Sequence, residues 1–359
     1  MAYTTIDDPS AYFQTTLYTG NGNATHAITH GGNSDLQSDW TWIKNRTDGH
    51  YHNLNDSVRG VNKKLRTGGT AGEVVNSSSG YLSAFASDGF TVTGGSSDME
   101  EVNTNGDAYV SWNWKAGTSF TNDASGTGIG SIDSAGSVNE EAGFSICSFT
   151  GNGTSGASVK HGLSTKPAMM IIKNRDESDS WQVYHHKNTS APATETLQLN
   201  ETGATSDTSN RWNDTEPTTA ILTLGNNTTV NKNTIKYIGY IFSEKQGYSK
   251  FGSYTGNGNA DGTFVYLGFK PAMIIVKSAT EARNWRLWDN KRSTYNLTDE
   301  ILYPDLSNAE ATGDSEIDML SNGFKLRKTS DNTSGATYIY MAFAESPFVT
   351  STGVPATAR

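Results

Sequence analysis

The chain contains one cysteine, Cys147, so an intramolecular disulfide is excluded. Cys147 sits in the strand-like run Phe144-Ser145-Ile146-Cys147-Ser148-Phe149, where a small buried thiol is the expected reading. Hydrophobic residues are scarce at 34%, and no apolar run approaches the roughly 20 residues of a membrane-spanning helix. The first residues, Met1 to Pro9, lack the basic and apolar segments of a secretion signal, so folding in a reducing cytosol is expected. Positive charge is in deficit: 27 Lys and Arg against 37 Asp and Glu give a formal net charge of −10 and a pI near 5.2. Such a chain is repelled by phosphate backbones, which argues against a nucleic-acid partner. Catalytic signatures are missing too: there is no Gly-x-Ser-x-Gly elbow, phosphate loop or His-Glu-x-x-His helix.

What the sequence does have is internal repetition. Tyr254-Thr255-Gly256-Asn257-Gly258 precedes an apolar run, Met273-Ile274-Ile275-Val276, that ends in Lys277. Phe149-Thr150-Gly151-Asn152-Gly153 leads in the same way through Met169-Met170-Ile171-Ile172 to Lys173, and Tyr18-Thr19-Gly20-Asn21-Gly22 through Trp40-Thr41-Trp42-Ile43 to Lys44. Asn-Gly reaches positive φ cheaply, so each copy is expected to open with a hairpin. The apolar run after it is short and suited to a pleated surface, which predicts a strand buried on both faces. Ser87-Asp88-Gly89-Phe90 matches Ser321-Asn322-Gly323-Phe324 as a turn into a further strand. Each copy closes on an aromatic strand: Tyr109 to Trp114, Tyr237 to Phe242, Tyr338 to Phe343.

A unit of about 100 residues is the size of a β-sandwich. The expected fold is all-β, with three tandem antiparallel sandwiches of jelly-roll or lectin-like type. The expected limits are 1–116 with an N-terminal lead-in, 143–244, and 245–359 with a C-terminal tail, the repeats proper covering about 10–116, 143–244 and 247–346. Residues 117–142, rich in Gly, Ser and Asp, read as a flexible or extended linker, whereas the joint Glu244 to Tyr248 is short enough to fix the last two units. The lead-in, ending in Tyr12-Phe13, is expected to dock on the first sandwich or on a neighbouring subunit.

Candidate functional residues are few. Trp181 and Trp285 fall at one repeat position, where the first copy has Tyr51 and His52. Core packing is the ordinary use of such a tryptophan. If the adjoining Trp288, Tyr184 or His186 is exposed, this loop becomes a candidate ligand-binding platform for a sugar ring. The basic run Arg59 to Arg66 reads as a solvated face or a contact with a protein neighbour, with an acidic polymer as the alternative. His50 and His52 would share a strand face, but no third ligand is fixed by the sequence, and no metal or other cofactor is assigned. Glu316-Ile317-Asp318 resembles the start of the glycosidase Glu-x-Asp-x-(x)-Glu strand. The far carboxylate that a retaining mechanism needs is replaced by Leu320 and Ser321, so no catalytic residue is assigned.

With the repeats laid out, the chain resembles a family of uncharacterised proteins encoded in the virion modules of marine bacteriophages, some labelled concanavalin-like or lectin-like. The resemblance rests on the Tyr-Thr-Gly-Asn-Gly starts, the two Ser-(Asp/Asn)-Gly-Phe turns, the Tyr109 to Trp114 strand with Lys115-Ala116-Gly117, and the joint Gly247 to Tyr254. It implies a virion structural protein, either a tail-fibre or host-attachment module or a head fibre or capsid decoration. The expected role is a non-enzymatic contact with host-surface glycan. A purely structural part and a polysaccharide depolymerase are the alternatives. Other virion proteins and further copies of the chain, as a homo-oligomer with a trimer as first guess, are the expected partners.

Overall fold

The structure, a computed structural model, describes residues 2–96, 98 and 100–357. Its regular structure is nearly all β, in antiparallel sheets, with only single-turn helices besides. The central strands Trp40–Asn45, Met169–Asn174 and Phe269–Ser278 are the expected doubly buried runs. Each pairs on one side with its closing strand (Ala108–Trp114, Lys236–Phe242, Thr337–Pro347) and on the other with a short strand, Asn53–Asp56, Gln182–His185 or Arg286–Asp289. The opening strands Phe13–Thr19, Phe144–Thr150 and Ser249–Thr255 pair with the far side of the closing strands.

Period two then sorts the side chains. Met169 and Ile171 face one way and Met170 and Ile172 the other. In the third repeat Met273 and Ile275 are separated from Ile274 and Val276 in the same manner. The outward set of each repeat is covered by a smaller sheet, built on Thr25–Ile28 and Gly89–Thr93 in the first repeat, Ala157–Lys160 and Ile221–Leu224 in the second, and Phe264–Tyr266 and Gly323–Leu326 in the third. Each repeat is therefore a sandwich. The inward sets of all three meet in one apolar cluster.

That shared cluster organises the molecule around a pseudo-three-fold axis. Trp114, Phe242 and Phe343, equivalent residues of the closing strands, converge there, with ring centroids 5.5 Å apart for Trp114 and Phe343 and 5.9 Å for Phe242 and Phe343. Trp40 of the first repeat stacks on Tyr240 of the second at 4.4 Å. The inner faces therefore depend on one another for burial. A fragment covering residues 143–244 alone would expose Phe144, Ile146, Met169, Trp181, Tyr240 and Phe242. It is expected to give no cooperative thermal transition and to bind a hydrophobic dye. A sharp melt of this fragment by circular dichroism would show instead that the repeat is self-sufficient.

Equivalent side chains also stitch the three junctions. Between the first and second repeats the fully buried Arg59 pairs with Asp56, donates to Leu54 O at 2.8 Å and meets Glu73, while Tyr240 Oη donates to Asp56 Oδ2 at 2.8 Å. Between the third and first, Arg292 pairs with Asp289 and Glu310, and Trp112 Nε1 donates to Asp289 Oδ2 at 3.1 Å. The junction of the second and third repeats uses uncharged substitutes. Asn188 accepts from Thr205 Oγ1 at 2.6 Å, and His185 Nε2 donates to Tyr340 O at 3.1 Å. The repeated lysines Lys173 and Lys277 are buried and reach across to Thr70 O at 3.1 Å and Thr202 O at 3.0 Å of the preceding repeat. The N-terminal lead-in docks on the third repeat, Tyr3 Oη donating to Gly268 O at 2.7 Å and Thr4 Oγ1 to Gln246 O at 2.8 Å. From Phe348 the tail folds back on itself, with Ala356 N donating to Phe348 O at 2.8 Å; Ala358 and Arg359 lie outside the described residues.

Three expectations are corrected. The Gly-Asn-Gly turns do not form hairpins, because the strands they join lie in different layers. The amides of Asn21, Asn152 and Asn257 bind Oδ1 of the buried Asn103, Asn231 and Asn332, which pins each turn to the loop before the closing strand. Gly22, Gly153 and Gly258 take φ of +67°, +70° and +70° there. Gly20, Gly151 and Gly256 pass so close to the same loop that a Cβ would lie 2.0, 2.4 and 2.2 Å from a carbonyl oxygen. Second, residues 117–142 are not a loose linker: Thr118–Asn122 and Ser134–Asn139 form a hairpin that adds to the opening strand Phe144–Thr150. Third, the basic run is not a solvated face. Arg59 is buried at the junction, and Lys64 and Arg66 both pair with Glu101.

Candidate functional site

The structure removes most of the expected platform. Trp181 and Trp285 lie in the central core, and their Nε1 atoms donate across the junctions to Arg66 O and Gln198 O, both at 2.9 Å. Tyr184 and Trp288 are buried between the layers of their own repeats. None of these four can offer a ring to a ligand. The first repeat places His52 at the same position, also buried, its Nδ1 accepting from Trp42 Nε1 at 2.8 Å. Glu316 and Asp318 are held by Lys328 and Arg327 in the outer sheet. Cys147 is buried as expected, and burial pushes its thiol up to about 12.

His186 alone of the candidates reaches the surface. Its Nε2 donates to Phe251 O at 2.6 Å and lies 3.9 Å from Glu244 Oε1, which in turn accepts from Phe251 N at 3.0 Å. The two side chains imitate a neighbouring strand, satisfying the outer amide and carbonyl of the edge strand Ser249–Thr255. Beside them opens a groove of about 520 Å³ lined by Lys187, Glu244, Lys250 to Tyr254, Phe264 to Tyr266 and Tyr340.

The rim of this groove carries two exposed aromatic rings. Val265 points into the outer core, so its neighbours Phe264 and Tyr266 share the opposite side of their strand, 45% and 49% exposed. Lys250 Nζ lies 5.3 Å above the Tyr266 ring and donates to Tyr266 O at 2.7 Å, which fixes the ring's base. Lys187 stands exposed on the far wall. Two aromatic faces, a cation and the carboxylate of Glu244 around an open groove can hold an amphipathic ring by its apolar face and its hydroxyls. Sequence reading passed over Phe264 and Tyr266 because alternation normally turns aromatics inward. The available signal was Phe-Val-Tyr, a strand with a good core residue already between them.

A protein-family model described as a domain of unknown function (DUF7483) matches residues 8–347. No curated protein and no solved structure matches the chain.

Proposed function

The chain belongs to the DUF7483 family, and we propose that it serves as a non-enzymatic virion structural protein, a tail-fibre or adhesion module that contacts host-surface glycan. The observation that carries the binding half of this reading is the exposed pair Phe264 and Tyr266 at the mouth of the groove. Large aromatics left in water by a fold that buries every tryptophan call for a partner. The virion placement rests on the resemblance of the repeat motifs, and self-association as a trimer belongs to the same proposal.

A glycan array with the full chain tests it. Specific binding is expected, and Phe264→Ala with Tyr266→Ala is expected to weaken it at least about tenfold, some 1.4 kcal/mol, without lowering Tm, because both rings are half exposed. An array on which the native chain retains nothing would favour the structural alternative, a head fibre or decoration protein. Shortening of host polysaccharide that is lost in Glu316→Gln would favour the depolymerase instead.

A further inference from the structure

The pseudo-symmetry produces three equivalent grooves, each between an opening strand and the preceding repeat, and they are filled in three different ways. Beside Phe144–Thr150 the groove holds the strand Ser134–Asn139, paired antiparallel in unbroken register from Ser134 opposite Phe149 to Asn139 opposite Phe144. Beside Ser249–Thr255 the side chains of His186 and Glu244 close the strand edge, as described above. Along the outer edge of Phe13–Thr19, opposite its pairing with Ala108–Trp114, no strand lies among the described residues, and a groove of about 430 Å³ runs along Phe13 to Leu17. Its other wall is Ala272, Asn290, Lys291, Ala344 and Glu345 of the third repeat. Asn290 and Glu345 stand where the second repeat has His186 and Glu244. Here, however, Asn290 Nδ2 is turned to Glu345 Oε2 at 2.7 Å.

Two further observations point to a ligand. Thr15, 7% exposed, lines the groove, and its Oγ1 has no hydrogen-bond partner within the protein. Its equivalents are Ile146, which faces Ser137 of the inserted strand, and Phe251, whose edge is closed by side chains. Lys291 is exposed at the rim and, among the described residues, makes no ion pair, whereas the filled groove has Val58 at that position.

We propose that the groove along Phe13–Thr19 is a strand-acceptor site: it takes an extended segment of a partner chain, antiparallel, with small uncharged side chains in its middle and an acid at the Lys291 end. The inserted strand Ser134–Asn139 shows what such a groove accepts, since its residues are Ser, Ala, Gly, Ser, Val and Asn. Gly136 runs so close to its neighbour that a Cβ would lie 1.9 Å from Ile146 O, which is why small residues are required. Main-chain hydrogen bonds supply the affinity, and the acid opposite Lys291 sets the register. This site lies at a different junction from the aromatic groove and stands without the glycan reading.

The test uses the full chain and a fluorescent synthetic peptide copying residues 133–140. Saturable binding below millimolar concentration is expected, with amide exchange slowed at least tenfold in residues 13–19 and unchanged in 249–255. Lys291→Glu and Asn33→Trp, both at exposed rim positions, are expected to weaken it at least fivefold while keeping the native Tm. Binding that fails to saturate, protects both opening strands alike, or is indifferent to both substitutions would overturn the proposal.

Discussion

Asp56→Asn is expected to lower the unfolding free energy by about 3–5 kcal/mol, because it strands a charge that cannot be neutralised. Arg59 and Asp56 are both 0% exposed at the side chain. Asparagine keeps the size of the site but cannot compensate the guanidinium, and Glu73 is already shared with Arg175. Tm is expected to fall by roughly 5 °C. Asp289→Asn should behave alike, since Arg292 and Glu310 repeat the arrangement at the junction of the third and first repeats. Asn188→Ala at the uncharged junction removes one neutral hydrogen bond and should cost only about 1 kcal/mol. Thermal melts of the three variants check this. A loss for Asp56→Asn no larger than for Asn188→Ala would show that the ion pair adds nothing specific to the junction.

Acid is expected to unfold the protein between about pH 6 and 4, with buried histidines as the main cause. Burial holds His30 and His161 down to about 4 and His185 down to about 3, and lowers His52 well below the ordinary 6.5. The unfolded chain therefore takes up these protons near 6.5 while the native one refuses them. Stability present above that pH is lost as pH falls, on the order of 3 kcal/mol per group once pH 4 is reached. Asp305, raised to about 6 by burial, works in the opposite direction, as do Asp39, Glu300 and Asp331, whose carboxyls burial also raises. Lys44, Lys173 and Lys277, lowered by burial to about 7, 8 and 8 against 10.5 when unfolded, make stability rise again between roughly pH 8 and 10. Tryptophan fluorescence against pH reads the acid limb directly. His185→Gln should move its midpoint down, and a native spectrum persisting at pH 3 would refute the account.

The repeats and their strands were legible because the run Met273 to Val276 and its counterparts cannot be anything but doubly covered, and because Gly, Asn and Lys recur at matched distances. What the sequence hid was the packing of the repeats upon one another. Trp181 and Trp285 look alike whether their loop faces water or a neighbour. The neighbour's Arg66 and Gln198 carbonyls decide it, and they come from a different repeat. The turn at Asn21 was misread because the group that captures its amide, Asn103, is remote in the chain. Residues 134–139 read as linker since their small side chains suit a flexible tether and a strand squeezed between two walls equally well. The aromatic groove was missed for the converse reason: Phe264 and Tyr266 break the inward rule on which the strand reading relied.

The contact of Asp7 with Ser351, whose amide donates to Asp7 Oδ1 at 2.6 Å, has a mechanical consequence. Both ends of the described chain leave from one patch, on the seam between the first and third repeats. A pull applied through them first meets the Tyr3 and Thr4 strap, which ties the lead-in to the third repeat. The aromatic groove, lined by Phe264 and Tyr266, opens on another edge of the molecule and lies off that line of force.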